Sequence, residues 1–373
     1  MPTLPHIAPS QTGAETVAVA LSGGLDSLVA AALLQRQGYK VIGLTMQIWD
    51  EDRSASGRIG CQAAAKAPDL ELLQRLSDRL GIPWQVISLV EEYQREVIDY
   101  FRRAYLAGYT PNPCVACNWK LKFGLLPEKA RAQGIVFDKF ATGHYARVGR
   151  AASGQGYWLQ RGRDAAKDQS YFLFRLTQAQ LEQLSLPLGA FTKAEVRRYA
   201  QELALDELRL RPESQDFIGP QMHAALFAEQ QVPPGAILNS SGQTIGRHRG
   251  LVHYTIGQRK GLGLSGRPAP LYVTQMDGQR NTLTVGTYPE LFSQRLRASQ
   301  LNWIGGAAPS GARRITAQIR SRHRAAAATL SPDPQDATAM LVVFDQPQLA
   351  ITPGQAVVFY EDATVLGGGT IIS

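Results

Sequence analysis

Residues 16–27 read TVAVALSGGLDS, and the reading of the fold starts from them. The apolar, β-branched run 16–21 suits a short buried strand. Residues 26–37 carry a helical pattern that stops at Gly38. Between strand and helix stand Ser22, Gly23 and Gly24. Adjacent glycines let the backbone turn tightly and bring its N–H groups close to an anion. The helix that follows adds a favourable dipole for phosphate. Ser22 and Ser27 offer hydroxyl donors, and Asp26 is placed to hold a magnesium ion against phosphates. The plain alternative is a turn with an ordinary Asp or Ser helix cap. It accounts for either residue singly, but not for the whole string after a strand.

Outward from this stretch, strand and helix patterns alternate. Residues 40–48 (KVIGLTMQI), 84–89 and 137–142 read as strands. Residues 69–80 place Leu72, Leu73, Leu76 and Leu80 on one helical side before Gly81, and 91–107 read as a long helix. This alternation predicts an α/β fold with a doubly wound parallel sheet, whose ligands sit at the carboxyl ends of the strands. Near Asp206 the pattern changes. Pro212, Pro220 and Pro233-Pro234-Gly235 precede short β-like runs at 271–275, 282–285, 315–319, 339–344, 356–360 and 364–366. Gly/Pro/Asp turns separate the runs, as in a small barrel, and 331–336 reads as a loop.

With 373 residues, 44% hydrophobic and 19% charged, the chain is excluded from the disordered, collagen-like and disulfide-stapled classes and has room for two or three domains. Its net charge of +8 is unevenly placed. Residues 241–324 hold thirteen Lys/Arg against only Asp277 and Glu290, a local excess of eleven over a remainder at minus three. A solvated basic face is one reading. A surface for a polyphosphate, nucleic acid ahead of membrane, is the other. Three cysteines, Cys61, Cys114 and Cys117, suit a reducing compartment. No apolar run approaches the roughly 18 residues of a membrane span. Residues 1–13 lack a signal-peptide core, so the expected location is cytoplasmic.

Further strings bear on chemistry. No G-x-x-x-x-G-K-[ST] loop occurs. Residues 261–266 (GLGLSG) fit G-x-G-x-x-G, but they follow polar Gln258-Arg259-Lys260 and precede a proline-rich segment that cannot continue a helix, so dinucleotide binding is not expected. Residues 110–118 (TPNPCVACN) contain a C-x-x-C, which can be half a zinc site, a redox pair, a nucleophile with a neighbour, or simply packed thiols. Lys120 and Lys122 beside it would favour a thiolate. His144, in 141–145 (ATGHY), ends a strand at the expected nucleotide edge, or serves as an ordinary structural side chain. Residues 167–172 (KDQSYF) join a cation to an amide, or start a helix.

SGGLDS resembles the pyrophosphate loop of the ATP-pyrophosphatase superfamily, which splits ATP between its α and β phosphates. Taken together, SGGLDS, 43–46 (GLTM), TPNPCVACN with KFG, ATGHYARV, KDQSYFLF, 254–263 (YTIGQRKGLG), 301–304 (LNWI) and 353–371 (PGQAVVFYEDATVLGGGTI) resemble the tRNA-specific 2-thiouridylases over nearly the whole chain. The resemblance implies an ATP-pyrophosphatase catalytic domain at 1–205, a small central tRNA-contacting domain at 206–280 and a C-terminal β-barrel that grips tRNA at 281–373. It implies ATP binding by Ala20, Leu21, Ser22, Gly23, Gly24, Leu25, Asp26, Ser27, Met46 and Gly143, with Mg2+ held through the phosphates. Cys117 matches the nucleophilic cysteine. Asn112, Pro113 and Cys114 would lie beside the target base. His144, Lys167, Asp168, Gln169, Arg320, Ser321 and Gln355 match positions that contact tRNA, of the Lys, Glu and Gln acceptor type.

One departure concerns sulfur. The family commonly carries a second catalytic cysteine where this chain has only Glu213-Ser214-Gln215-Asp216-Phe217-Ile218-Gly219, and many members have Asp at the position of Cys114. Two expectations follow: Cys114 replaces the missing thiol, with sulfur from a donor protein, or Cys114, Cys117 and one further ligand hold an iron–sulfur cluster that uses inorganic sulfide. Two other classes compete. One is an amide-forming ATP-pyrophosphatase, which would release pyrophosphate without tRNA. The other is a catalytically dead RNA-binding protein, which would release none.

Overall fold

The strands of the first part of the chain are β1 (Thr16–Ala20), β2 (Lys40–Gln47), β3 (Trp84–Ser88), β4 (Lys139–Thr142), β5 (Ala146–Arg150), β6 (Tyr157–Arg161) and β7 (Leu184–Ser185). This is a computed structural model that describes residues 15–49, 70–209, 223, 226–228, 230, 232–264, 266 and 269–373. Cys61, Ser265, Arg267, Pro268 and the segment 213–219 lie outside the described residues. The contacts divide the chain into two units. Met1–Gln94, Ala116–Gly219 and Ala363–Val365 form one, and Arg95–Val115, Pro220–Asp362 and Leu366–Ser373 the other.

In the first unit, five strands pair in the order β3-β2-β1-β4-β7, all parallel. The chain winds outward from β1 in both directions, the expected doubly wound plan. The helix α1 (Leu25–Arg36) is buried on every side from Ser27 to Leu34. An all-round apolar helix of this kind belongs inside a core. It packs with Val17, Val19 and Leu21 of the sheet side and with Leu72, Leu73, Leu76, Val196 and Ala200 of neighbouring helices. The helix predicted at 69–80 runs Leu70–Arg79. The long helix predicted at 91–107 is helical in three pieces, a turn at Val90–Tyr93, a π-helical stretch at Gln94–Ile98 and a helix at Asp99–Leu106.

The second unit adds β8 (Gly235–Leu238), β9 (Thr244–His248), β10 (Tyr272–Asp277) and β11 (Thr282–Gly286), which form a four-stranded sheet in the order β10-β11-β8-β9. Six more strands follow: β12 (Phe292–Trp303), β13 (Arg313–Gln318), β14 (Ala326–Asp333), β15 (Asp336–Leu349), β16 (Ala356–Glu361) and β17 (Thr364–Ile371). They run in the order β12-β15-β14-β13-β16-β17, and β12 pairs with β17 to close a barrel. Its interior is apolar, with Leu296, Val342, Phe344, Val357 and Phe359 fully or almost fully buried. Closure removes the free edges that an open sheet would expose. The loop expected at 331–336 is instead the tip of a hairpin in which Asp333 pairs with Asp336. The buried Asp333 carboxylate accepts the Gln335 N–H at 2.9 Å and an Arg297 Nε–H, which secures a tight turn despite Pro332 and Pro334.

Candidate active site

The carboxyl ends of β1, β2 and β4 share one edge of the parallel sheet. Ala20 lies between Leu44 and Thr142 there, Met46 pairs beside Ile87, and Gly143 follows β4. Because the winding reverses at β1, the crevice beyond this edge is where such sheets bind ligands. Gly23 takes φ 76°, which favours glycine, and lets the loop turn out of β1. The Ser22 N–H donates to Ser27 Oγ at 3.2 Å, and the Ser27 hydroxyl donates to the Gly24 carbonyl at 2.9 Å. No side chain caps α1. The loop is therefore more than an ordinary Asp or Ser cap. Opposite it, a Cβ on Gly143 would lie 2.8 Å from the Asp26 carbonyl carbon and 2.9 Å from the Ser27 nitrogen, so β4 approaches α1 this closely only with glycine.

Side-chain donors engage both oxygens of Asp26. Lys193 Nζ donates to Oδ1 at 2.7 Å and to Oδ2 at 2.8 Å, and the Tyr145 hydroxyl donates to Oδ1 at 2.9 Å. Lys193 opens the helix Lys193–Glu202 behind a capping box in which Thr192 and Glu195 satisfy each other. The sequence reading missed both Lys193 and Tyr145 as partners of this loop. A signal for Lys193 existed, since a cation in the first turn opposes the helix dipole and needs a compensating anion.

The residues around 164–169 support this pair. Asp164 Oδ2 accepts the Lys193 backbone N–H at 2.9 Å. Gln169 Oε1 accepts the Tyr145 N–H at 2.9 Å, and the Gln169 N–H donates to the Tyr145 carbonyl at 2.9 Å. Asp168 accepts from Gly162, Arg161 and Ser170, so its carboxylate shapes the loop from within. The Lys167 N–H donates to the Asp164 carbonyl at 3.0 Å. The helix start considered at 167–172 is a single 3-10 turn, Ser170–Leu173.

His144 lies between this edge and the cysteine helix. Its Nδ1 is 2.7 Å from Thr142 Oγ1, and its ring is 5.6 Å from that of Phe123. The residue is half-buried, and its ring is packed closely enough that desolvation holds its pKa well below 6.5, with the Lys122 ammonium pushing the same way. His144 is therefore neutral at physiological pH. Cys117 is buried and starts a π-helical stretch, Cys117–Leu125. Widened turns of this kind occur often at functional sites. Gln180 Nε2 donates to the Trp119 and Phe123 carbonyls at 3.3 and 3.1 Å, holding the stretch from outside. Cys114 is partly exposed and belongs to the preceding turn Pro113–Ala116, and neither it nor Cys117 is in a disulfide. The boundary between the units falls between these two cysteines, after Val115.

In the second unit, Gln355 Nε2 donates to the Thr110 and Pro111 carbonyls at 3.0 and 3.1 Å. Asn112 Oδ1 accepts the Val115 N–H at 3.3 Å. The structure thus brings Gln355 to the chain that carries Asn112, Pro113 and Cys114. Arg320 and Ser321 sit in the turn after β13, where the Gln318 amide donates to both their carbonyls at 3.2 and 3.0 Å. The arginine excess is also partly matched. Arg297, Arg313 and Arg314 meet Asp333, Glu361 and Asp345, carboxylates that lie beyond residue 324.

A magnesium ion fits this donor set as part of a metal–nucleotide complex. Mg2+ is commonly held by one or two carboxylates plus phosphates and water, and Asp26 would supply one carboxylate. Among the described residues no group of three or more His, Cys, Asp or Glu is arranged to hold a metal ion, and Cys61 lies outside them. Among the described residues no helix is long and apolar enough to cross a membrane.

Known proteins resemble the chain throughout its length. A family model described as a tRNA methyl transferase HUP domain matches residues 15–219, more than half of the chain. A PRC-barrel model of the same name matches 225–287, and an aminomethyltransferase beta-barrel model matches 293–371. A tRNA-specific 2-thiouridylase MnmA of Heliobacterium modesticaldum is 45% identical, covering 96% of this chain and 92% of that protein. The proteins of that name from Moorella thermoacetica and Endomicrobium trichonymphae are 46% and 42% identical, each covering 95% of this chain and 99% and 98% of theirs. The model descriptions and the relatives' names differ in the group transferred, and identity at this level over the full length is the more specific likeness. The chain belongs to the tRNA-specific 2-thiouridylase family.

Proposed function

We propose that the protein is an ATP-dependent tRNA sulfurtransferase that 2-thiolates the wobble uridine. One observation supports this beyond the family likeness: the helical stretch that begins at Cys117 packs beside the sheet edge that carries the glycine loop. Phe123, in the stretch that begins at Cys117, packs on His144, and the next residue, Tyr145, bonds to Asp26 in the glycine loop. In the reading, Ala20–Ser27, Met46 and Gly143 hold ATP, and Asp26 would hold a Mg2+ ion, which would supply charge neutralisation at the phosphates. The uridine O2 attacks the α-phosphate and pyrophosphate leaves. The adenylated C2 then accepts the terminal sulfur of a persulfide on Cys117, and AMP departs. A thiolate at Cys114 attacks Cys117 Sγ, frees the thiocarbonyl and leaves a disulfide that an external dithiol reduces. The central segment 206–280 and the barrel 281–373 contact tRNA, with His144, Lys167–Gln169, Arg320, Ser321 and Gln355 placing the base. A flipped, single-stranded base suits this arrangement, and orientation supplies much of the rate.

The test is pyrophosphate release with and without tRNA, with product thiolation read on a mercury-containing gel. The reading expects release that depends on tRNA of the Lys, Glu or Gln type and a retarded tRNA band. Release without tRNA would point to an amide-forming ligase, and absence of release to an RNA-binding protein without catalysis.

A further inference from the structure

Lys193 is the most deeply placed cation at the nucleotide edge, and neither the sequence motifs nor the family likeness assigns it a role. Its side chain is 9% exposed, whereas the Asp26 side chain in front of it is 31% exposed. The ammonium is therefore the more deeply buried partner of the pair. A carboxylate oxygen has two acceptor directions. Lys193 and Tyr145 fill both on Oδ1, whereas Oδ2 accepts only Lys193 among the described residues. One acceptor direction of Oδ2 is therefore left over among the described residues. The two donors are themselves held, Lys193 through its N–H on Asp164 and Tyr145 through both backbone groups on Gln169.

We propose that Lys193 and Tyr145 are positioning residues that fix the rotation of the Asp26 carboxylate and present Oδ2 to the metal of the metal–nucleotide complex. The proposal rests on the reading of SGGLDS as an ATP loop. Locking the carboxylate before the ligand arrives removes the cost of ordering it on binding. Segment 164–169 is the mount of this clamp, so the residues matched to tRNA contact also hold the metal-facing carboxylate in place.

The experiment measures equilibrium binding of Mn2+ with α,β-methylene-ATP, followed by electron paramagnetic resonance, and metal-free binding of AMP. It compares wild type, Tyr145→Phe and Lys193→Met without turnover. Tyr145→Phe removes one hydroxyl and keeps the ring, so it tests the clamp even where Lys193→Met unfolds the site. The expected loss of Mn2+–analogue affinity is about fivefold for Tyr145→Phe and about tenfold or more for Lys193→Met. AMP affinity in Tyr145→Phe should stay within about twofold of wild type, a split that general damage to the loop would not produce. Unchanged or tighter Mn2+–analogue binding in Tyr145→Phe overturns the clamp, and so does an equal loss for AMP. If wild type binds neither ligand, the nucleotide reading itself falls and the clamp's role falls with it.

Discussion

At the loop after β1, Lys193 lies on both oxygens of Asp26 with 9% of its side chain exposed, while on the barrel Arg314 makes the same two-pronged contact with Asp345 at 62% exposure. The chemistry of the pairs is alike and their surroundings are not. Exposed pairs contribute little to stability and are screened by salt. Separating a buried pair leaves an uncompensated charge and costs far more. The barrel arginine is therefore free to exchange its carboxylate for a phosphate, whereas the buried lysine fixes geometry. The local excess of eleven charges at 241–324 also needs revising in this light. Residues 325–373 contain five acidic residues and no Lys or Arg, and three of those acids sit on Arg297, Arg313 and Arg314. A chain-order count of charge misses pairing between strands.

The largest expected effect tests the buried side of this comparison. Asp26→Ala should reduce tRNA-dependent pyrophosphate release by about a hundredfold to a thousandfold, the range of losses from removing one electrostatic stabiliser at a transition state. Near-normal release would show that the Asp26–Lys193 pair serves stability alone. The exposed side comes next. Replacing Arg320, Arg322 and Arg324 together by Gln should flatten the dependence of log tRNA affinity on log salt by about two to three, since each phosphate contact contributes roughly 0.9 to the slope. The same change at Arg313 and Arg314 should flatten it less, because both already hold carboxylates. An equal effect from the two sets would remove the distinction between the arginines on carboxylates and those of the turn after β13.

Acidification gives a smaller, shared effect. Burial holds His144, His248, His253 and His323 below 6.5, reinforced by Lys122, Arg247, Arg249 and Arg320 respectively. The unfolded chain binds these protons first. Stability is therefore full above about pH 6.5 and is lost as pH falls from there through the lower folded values. His144→Gln should reduce that loss in urea titrations between pH 7 and 5, and an unchanged slope would contradict a buried neutral His144. The smallest effect is expected at the exposed pair, where Asp345→Asn should leave the melting temperature within measurement error.

Much of this organisation was legible in the sequence. The strands at 16–21, 40–48 and 84–89 and the glycine loop were found because apolar runs and paired glycines are local signals. The barrel was expected from its runs and turns, but not which strands close it, since the pairing of Ala298 with Ile371 leaves no trace in either segment's periodicity. The hairpin tip at 331–336 was hidden by its prolines and stabilised by Arg297, 36 residues away from Asp333. Lys193 was hidden for the same reason, since it meets a carboxylate 167 residues distant. The π-helical stretch at Cys117–Leu125 has no simple pattern either, and one of its supports, Gln180, comes from a separate helix.

The most direct test of the account is Cys117→Ser assayed for both half-reactions in one tube. The account predicts that tRNA-dependent pyrophosphate release persists while no thiolated tRNA appears on the mercury gel, because activation belongs to the loop around Asp26 and sulfur delivery to Cys117. Full thiolation by Cys117→Ser would contradict it.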